Sequence, residues 1–170
     1  MPQQNEYLGL MSQPVEQETG SSLRLDNQLC FSIYSASRAI IRAYRPILER
    51  YDLTYPQYLV LLALWEKNDQ PVCEIGRRLY LDSGTLTPLL KRMELSGYLD
   101  RQRSVLDERQ VVVHLTEKGQ AFRHVALEIP QELVKGSHLD LGEALRTKVM
   151  VDQILQKFLE SSSDDLASSC

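Results

Sequence analysis

Cysteine is scarce in this sequence. Cys30, Cys73 and Cys170 are the three in 170 residues, and no two are close enough to form a CxxC pair. An odd, widely spaced set does not describe a disulfide framework. Histidine is equally scarce, and His114, His124 and His138 are not grouped with the thiols. A structural zinc site is therefore not expected, and neither a metal nor a cofactor is assigned. Long apolar runs are missing too. None approaches the ~20 residues that cross a bilayer as a helix, so no membrane partner is expected. The opening MPQQNEYLGLMSQPVEQETGSS lacks a basic start and an apolar stretch, which argues against a secretory signal and for a cytoplasmic location.

An overall positive charge is also absent. The net charge is −4 and the pI about 5.4, which argues against indiscriminate nucleic-acid binding. The sign reverses locally. Residues 77–123 hold nine Lys/Arg against six Asp/Glu, a local +3 that leaves −7 on the remainder.

What is present is mostly helical periodicity. Residues 1–22 and 161–170 read as flexible tails around one domain, 23–160, with 55–118 as its central part. Asp26 or Asn27 suits the cap of a first helix running to about Arg50, with Pro46 bending or breaking its last turn. YPQYLVLLALWE starts a second helix with Pro56 in its first turn, and PVCEIGRRLYL gives a short third. DSGTLTPLLKRMELSGYL gives a fourth, capped by Asp82 or Ser83 and stopped by Gly97. The period then changes to two: YLDRQR and RQVVVHLT alternate across SVLDE, a β-hairpin with a polar tip. TEKG opens another helix, expected to continue through Pro130, and a last helix spans about Leu141 to Glu160. The expected fold class is mainly α with a small β-hairpin wing: a winged helix-turn-helix carrying N- and C-terminal dimerisation helices. The flanking helices have more apolar surface than a thin monomer buries, so a symmetric homodimer is expected.

Ser83, Thr85 and Thr87 place small hydroxyls at the start of the fourth helix, where backbone N–H groups and the dipole suit phosphates and base edges. Lys91 and Arg92 lie further along it. Arg101, Arg103 and Arg109 belong to the hairpin, and Arg77 and Arg78 to the preceding helix. Taken singly, helix-start hydroxyls are commonly caps and hairpin arginines commonly solvated; taken in this order they point to double-stranded DNA. The stretch LYLDSGTLTPLLKRMELSGYLDRQRSVLDERQVVVHLTEKG, residues 79–119, resembles the MarR family of transcriptional regulators, and with its surroundings the likeness extends over about 23–160. The resemblance implies that Arg109 is a wing-tip arginine entering the minor groove and that Asp107 orients it through a hydrogen-bonded ion pair.

A second pattern lies in the first helix. Cys30, Tyr34, Ile41, Tyr44 and Leu48 share one face. Cys30 and Tyr44 are 14 residues apart, about 21 Å along a straight helix, so they can meet only between antiparallel copies. Tyr34 is one turn from Cys30. The motif LDNQLCFSIYSASR, residues 25–38, resembles the organic hydroperoxide resistance regulators (OhrR type), a branch of the MarR family. That likeness implies that Cys30 is a peroxide-sensing thiol, that Tyr44 and Tyr55 of the partner subunit bind it, and that Tyr34 stands beside it. It implies a repressor whose effector is an organic hydroperoxide and whose operator is a pseudo-palindromic duplex. The segment ALEIPQELVKGSHLDLGEAL, where some relatives carry a resolving cysteine, has none. Oxidised Cys30 is therefore expected to be capped by a small cellular thiol or to be oxidised further, with Cys170 as a lesser alternative and Cys73 read as core. Three other readings stay open: a regulator of this family answering to a small aromatic ligand without redox chemistry; a thiol peroxidase, against which the missing resolving cysteine and the complete wing argue; and an interaction module that does not bind DNA, which duplex binding with a steep salt dependence would exclude.

Overall fold

A computed structural model describes residues 21–105, 107–136 and 140–161. The expected tails, Cys170 among them, lie outside the described residues apart from Ser21, Ser22 and Ser161. The chain divides into two units, residues 1–40 and 41–170. One helix, α1 (Leu29–Leu48), begins in the first and ends in the second.

In the first unit, two short 3₁₀ turns, Ser21–Leu23 and Leu25–Asn27, precede α1. The Gln28 side-chain amide donates to the Ser22 carbonyl at 2.5 Å and to the Arg24 carbonyl at 3.3 Å, tying both turns to the helix start. The expected cap at Asp26 or Asn27 is displaced. Both residues belong to the second turn, and it is the Gln28 carbonyl that accepts from Phe31 and Ser32. Leu23, Leu25, Leu29 and Ile40 are exposed.

In the second unit, Pro46 lies within α1, which gives way to a 3₁₀ turn at Glu49–Tyr51 and ends at Asp52 in the left-handed region. Helix α2 (Tyr55–Glu66) opens with Pro56 in its first turn. The Thr54 N–H donates to Gln57 Oε1 at 2.8 Å, closing a helix-start donor on a side chain. Val60, Leu61 and Leu64 on α2 are fully buried. Strand β1 (Gln70–Pro71) and helix α3 (Val72–Leu79) follow. The turn to α4 (Ser83–Leu95) is tight: Tyr80 adopts φ 54° and the Leu81 N–H bonds the Gly76 carbonyl at 2.9 Å. A Cβ on Gly76 would sit 2.8 Å from the Leu81 carbonyl oxygen, so this turn of the helix-turn-helix admits only glycine there.

Gly97, at φ 73°, reverses the chain into β2 (Leu99–Arg103), which pairs with β3 (Val111–Leu115). The antiparallel sheet has the order β1-β3-β2. Strand β1 was not anticipated, because two residues carry no periodicity. It is held by Gln70, whose buried amide donates to the Ala63 carbonyl at 3.0 Å, and the neighbouring Asn68 accepts from Leu115 at 2.9 Å.

Helix α5 (Glu117–Ala126) is capped by Thr116, which accepts from the Gly119 N–H at 3.1 Å and donates to the Gly97 carbonyl at 2.6 Å. The Trp65 indole donates to the Gly119 carbonyl at 3.0 Å. Here the expectation of one helix through Pro130 fails. The chain breaks at Leu127–Glu128 and restarts as α6 (Ile129–Gly136), because Pro130 has no N–H for the Ala126 carbonyl. Helix α7 (Leu141–Ser161) has the expected span. The core of this unit gathers Leu48, Leu61, Leu64, Ile75, Leu86, Leu90, Met93, Leu99, Val113 and Ile129. On α7, by contrast, Leu145, Val149, Leu155 and Phe158 are exposed.

Two outcomes are expected from this packing. A Cβ on Gly119 would lie 2.1 Å from the Tyr98 carbonyl oxygen, so Gly119→Ala must move backbone and should cost about 1–3 kcal/mol. Urea denaturation with an unchanged midpoint would contradict the close approach. Burial first, then the neighbouring phenols of Tyr44 and Tyr55, push Tyr58 up to about 12. The neutral phenol is thus favoured by folding: its contribution is whole below the unfolded value of about 10 and is lost as pH rises through the folded value. Stability should fall over that alkaline interval, and Tyr58→Phe should fall less steeply in urea titrations repeated across it.

Candidate DNA interface and thiol site

The helix-turn-helix presents α4. Asp82 caps it, accepting from the Thr85 N–H at 2.9 Å and the Thr85 hydroxyl at 2.8 Å. Those two bonds, the hydroxyl first, hold the Asp82 carboxyl below its ordinary range. The consequence for the expected DNA contacts is specific. Thr85 donates its hydroxyl and its N–H to the cap, so the helix start offers fewer free donors than the sequence suggested. Ser83, Lys91 and Arg92 are exposed on α4, and Thr87 is half-buried. Ser83, Thr87 and Lys91 succeed one another at four-residue spacing and form one face. Arg78 is turned away: it bonds the Glu66 carboxylate and the Ala63 carbonyl on α2.

The hairpin tip is a tight polar turn. Ser104 N–H bonds the Gln110 carbonyl at 2.9 Å, and Gln110 N–H bonds the Asp107 carbonyl at 2.9 Å. The Asp107 carboxylate accepts the backbone N–H of Arg109 at 3.0 Å. The expected ion pair between Asp107 and the Arg109 guanidinium is therefore replaced, among the described residues, by a side-chain-to-backbone bond. Asp107 shapes the turn, and the exposed Arg109 side chain extends from it. Arg103 is exposed as well.

Arg101 behaves differently from the other hairpin arginines. Its Nη2 and Nε donate to Glu94 Oε2 at 2.7 and 3.0 Å, and its backbone N–H donates to Oε1 at 3.1 Å. Both side chains are partly buried. The guanidinium expected to face DNA is thus committed to the last turn of α4, and these bonds draw the Glu94 carboxyl below its usual range.

Of the residues singled out around the thiol, Cys30 is exposed near the start of α1. Tyr34, one turn on, is exposed, and its phenol oxygen accepts from Arg38 Nη1 at 3.0 Å while the guanidinium lies 5.5 Å from the ring centre. No hydrogen bond joins Cys30 to Tyr34 among the described residues. In the second unit, Tyr44 and Tyr55 are brought together, ring centres 4.8 Å apart, with Tyr58 6.0 Å from Tyr44. Burial raises both the Tyr44 and the Tyr55 phenols above their ordinary value. Both therefore keep their protons, and remain donors, throughout the neutral range. Sequence reasoning missed Tyr58 and Arg38, although each lies one turn from a tyrosine it had marked. Cys73 is half-buried in α3.

Residues 42–124 match a family model described as the transcriptional regulator SarA/Rot. The chain is 48% identical over 124 residues to the organic hydroperoxide resistance transcriptional regulator of Bacillus subtilis strain 168, covering 73% of this chain and 84% of that protein. Among solved structures it resembles reduced AbfR bound to DNA, at 39% identity and a TM-score of 0.73, over 84% of this chain and 97% of the other. It also resembles overoxidized AbfR bound to DNA, at 38% identity and a TM-score of 0.67, over 82% of this chain and 98% of the other; AbfR is a protein of Staphylococcus epidermidis. With nearly half of its aligned residues shared over most of that regulator's length, and a winged fold in common with DNA-bound relatives, this chain belongs to the MarR family of DNA-binding transcriptional regulators, in the organic hydroperoxide resistance branch, and is not an enzyme.

Proposed function

We propose that the chain acts in the cytoplasm as a homodimeric repressor that holds a pseudo-palindromic operator while Cys30 is reduced and releases it after an organic hydroperoxide oxidises that thiol. The observation that carries the reading is the adjacent, half-buried pair Tyr44–Tyr55, with ring centres 4.8 Å apart and planes tilted by 43°. Two protonated phenols side by side form a donor pair suited to an anionic sulfur, and charge-assisted bonds of this kind are among the strong ones. In antiparallel copies of α1, Cys30 of one subunit meets the partner's Tyr44 and the partner's Tyr55. Tyr34 stands beside the thiol in the same subunit. The exposed apolar residues at Leu23, Leu25 and Leu29, and those along α7, are what a second copy covers.

The chemistry balances simply. The Cys30 thiolate attacks one peroxide oxygen; the O–O bond breaks and an alkoxide leaves, which takes a proton to become the alcohol. Sulfur, oxidised by two electrons, becomes a sulfenic acid. A small cellular thiol then condenses with it, forming a mixed disulfide and water. AbfR has been captured on DNA in an overoxidized state, which supports assigning release in this chain to the bulkier mixed disulfide. Either product removes the anion that the phenols stabilise. The DNA side of the reading places Ser83, Thr87, Lys91 and Arg92 of α4 in the major groove, with Thr85 acting through the Asp82 cap. It places Arg103 and Arg109 at the flanking minor groove, where narrow A·T-rich tracts attract arginine.

The test is a mobility-shift titration on a pseudo-palindromic promoter duplex, with and without cumene hydroperoxide and a low-molecular-weight thiol. Wild type should release the duplex on oxidation, whereas Cys30→Ser should bind it and stay bound; release of the serine variant would refute the assignment. Tyr44→Phe and Tyr55→Phe each delete one charge-assisted donor and should slow peroxide consumption by the thiol about tenfold or more. Sedimentation should give a dimer, and a monomer at micromolar concentration would remove the basis for a site shared between copies.

A further inference from the structure

The hairpin arginines are alike in sequence, but one of them is not free. Strand β2 is an edge strand. Arg101 stands in register with Val113 of β3, and its own N–H is turned to the open edge, where Glu94 accepts it at 3.1 Å. The same carboxylate takes Nε and Nη2 of that arginine at 3.0 and 2.7 Å. One carboxylate thus closes a sheet edge and grips the guanidinium, and its two ends belong to the two DNA-facing elements: the last turn of α4 and the first strand of the wing. Between them the chain passes only through Ser96, Gly97 and Tyr98, with Gly97 at φ 73°; Thr116 holds the Gly97 and Tyr98 carbonyls of that turn, and the Glu94–Arg101 tie adds a direct link from α4 to β2 across it.

We propose that Arg101 is a positioning residue and not a DNA contact: through Glu94 it fixes the angle at which the hairpin leaves the recognition helix, and so aims Arg103 and Arg109 at the flanking minor groove. The proposal rests on the reading that the hairpin tip reaches that groove. It has a consequence opposite to simple electrostatics. Glu94 is an anion near the DNA-facing surface, so neutralising it ought to strengthen binding to a polyanion if charge alone mattered. If the carboxylate holds the wing, neutralising it weakens binding. Lysine separates the same two readings at the other end, because a phosphate accepts a point charge, whereas the forked grip on one carboxylate needs a guanidinium.

Full-length Glu94→Gln, Arg101→Lys and, as a control, Arg109→Ala would be compared by hydroxyl-radical footprinting and affinity on a duplex bound by the wild-type protein, with thermal melting alongside. The expected result is a loss of about tenfold in affinity for both Glu94→Gln and Arg101→Lys, the size of one lost groove anchor. Protection should be lost at the flanks and kept in the central major grooves, with melting midpoints within about 3 °C of wild type. Equal or tighter binding by Glu94→Gln overturns the proposal, as does near-wild-type binding by Arg101→Lys. Loss of protection uniform across the site assigns the pair to stability alone and overturns it too. If Arg109→Ala leaves the flanks protected, the wing has no groove to enter and both readings fall together; if Arg109→Ala alone exposes the flanks, the wing reading stands and the clamp falls.

Discussion

The Tyr98 carbonyl is where the parts of the reading head meet. It accepts the Thr116 N–H at 3.2 Å, and the missing side chain of Gly119 lets α5 approach it. Thr116 in turn caps α5 and bonds the Gly97 carbonyl, while Trp65 reaches across from α2 to the Gly119 carbonyl. Backbone polar groups that would otherwise be buried without partners are satisfied here by one another, and each bond joins a different pair of elements. The motif LTEKG is therefore a joint: threonine supplies the cap and glycine the clearance. Without this joint the recognition helix, the sheet and α5 would still form, but they would not share one geometry, and the two copies of the proposed dimer could not present their helices to successive grooves at fixed spacing.

Much of this geometry was legible because it is local. Asp82, Gly97 and Thr116 sit at the offsets where helices start and stop, and the alternation in RQVVVHLT marks its strand without help from the rest of the chain. The limits are equally physical. Strand β1 has two residues and exists only because β3 offers it an edge. The break at Leu127–Glu128 was signalled by Pro130, yet the apolar periodicity on both sides masked it. The pairing of His114 Nδ1 with Asp69 Oδ1 at 2.5 Å joins residues 45 apart, a distance no local rule spans. Arg101 is the instructive case. Its composition and place fit a phosphate contact, and its partner lies only seven residues back, across a glycine turn; a helix–turn–strand register, not a helical one, was needed to find it.

Charge is distributed in keeping with this division of labour. The excess of basic residues lies in 77–123, and the rest of the chain is acidic. Within the basic segment, Arg78 and Arg101 are spent on internal ion pairs, so the local count overstates what DNA meets. Fewer free cations make non-specific attraction weaker and leave a larger share of the binding to groove geometry. A reading head of this kind is sensitive to where its wings and helices point, which is the property the proposed switch at a dimer seam would exploit.

The energies are adequate for the proposed switch. Moving a two-state protein from almost wholly bound to almost wholly released needs a differential of about 5.5 kcal/mol. A hydrogen bond to a charged group contributes ~1.5–3 kcal/mol. In the proposed dimer, with two phenols on each thiolate and two thiolates, the gross loss on oxidation would be roughly 6–12 kcal/mol, spread over both subunits and partly recovered by the oxidised sulfur. That range covers the requirement without unfolding either copy. The burial that raises Tyr44 and Tyr55 matters for the same reason. It keeps both donors protonated at neutral pH, so that in the proposed dimer the state of the seam would be set by the sulfur rather than by the phenols, and oxidants rather than acidity would decide whether the operator is held.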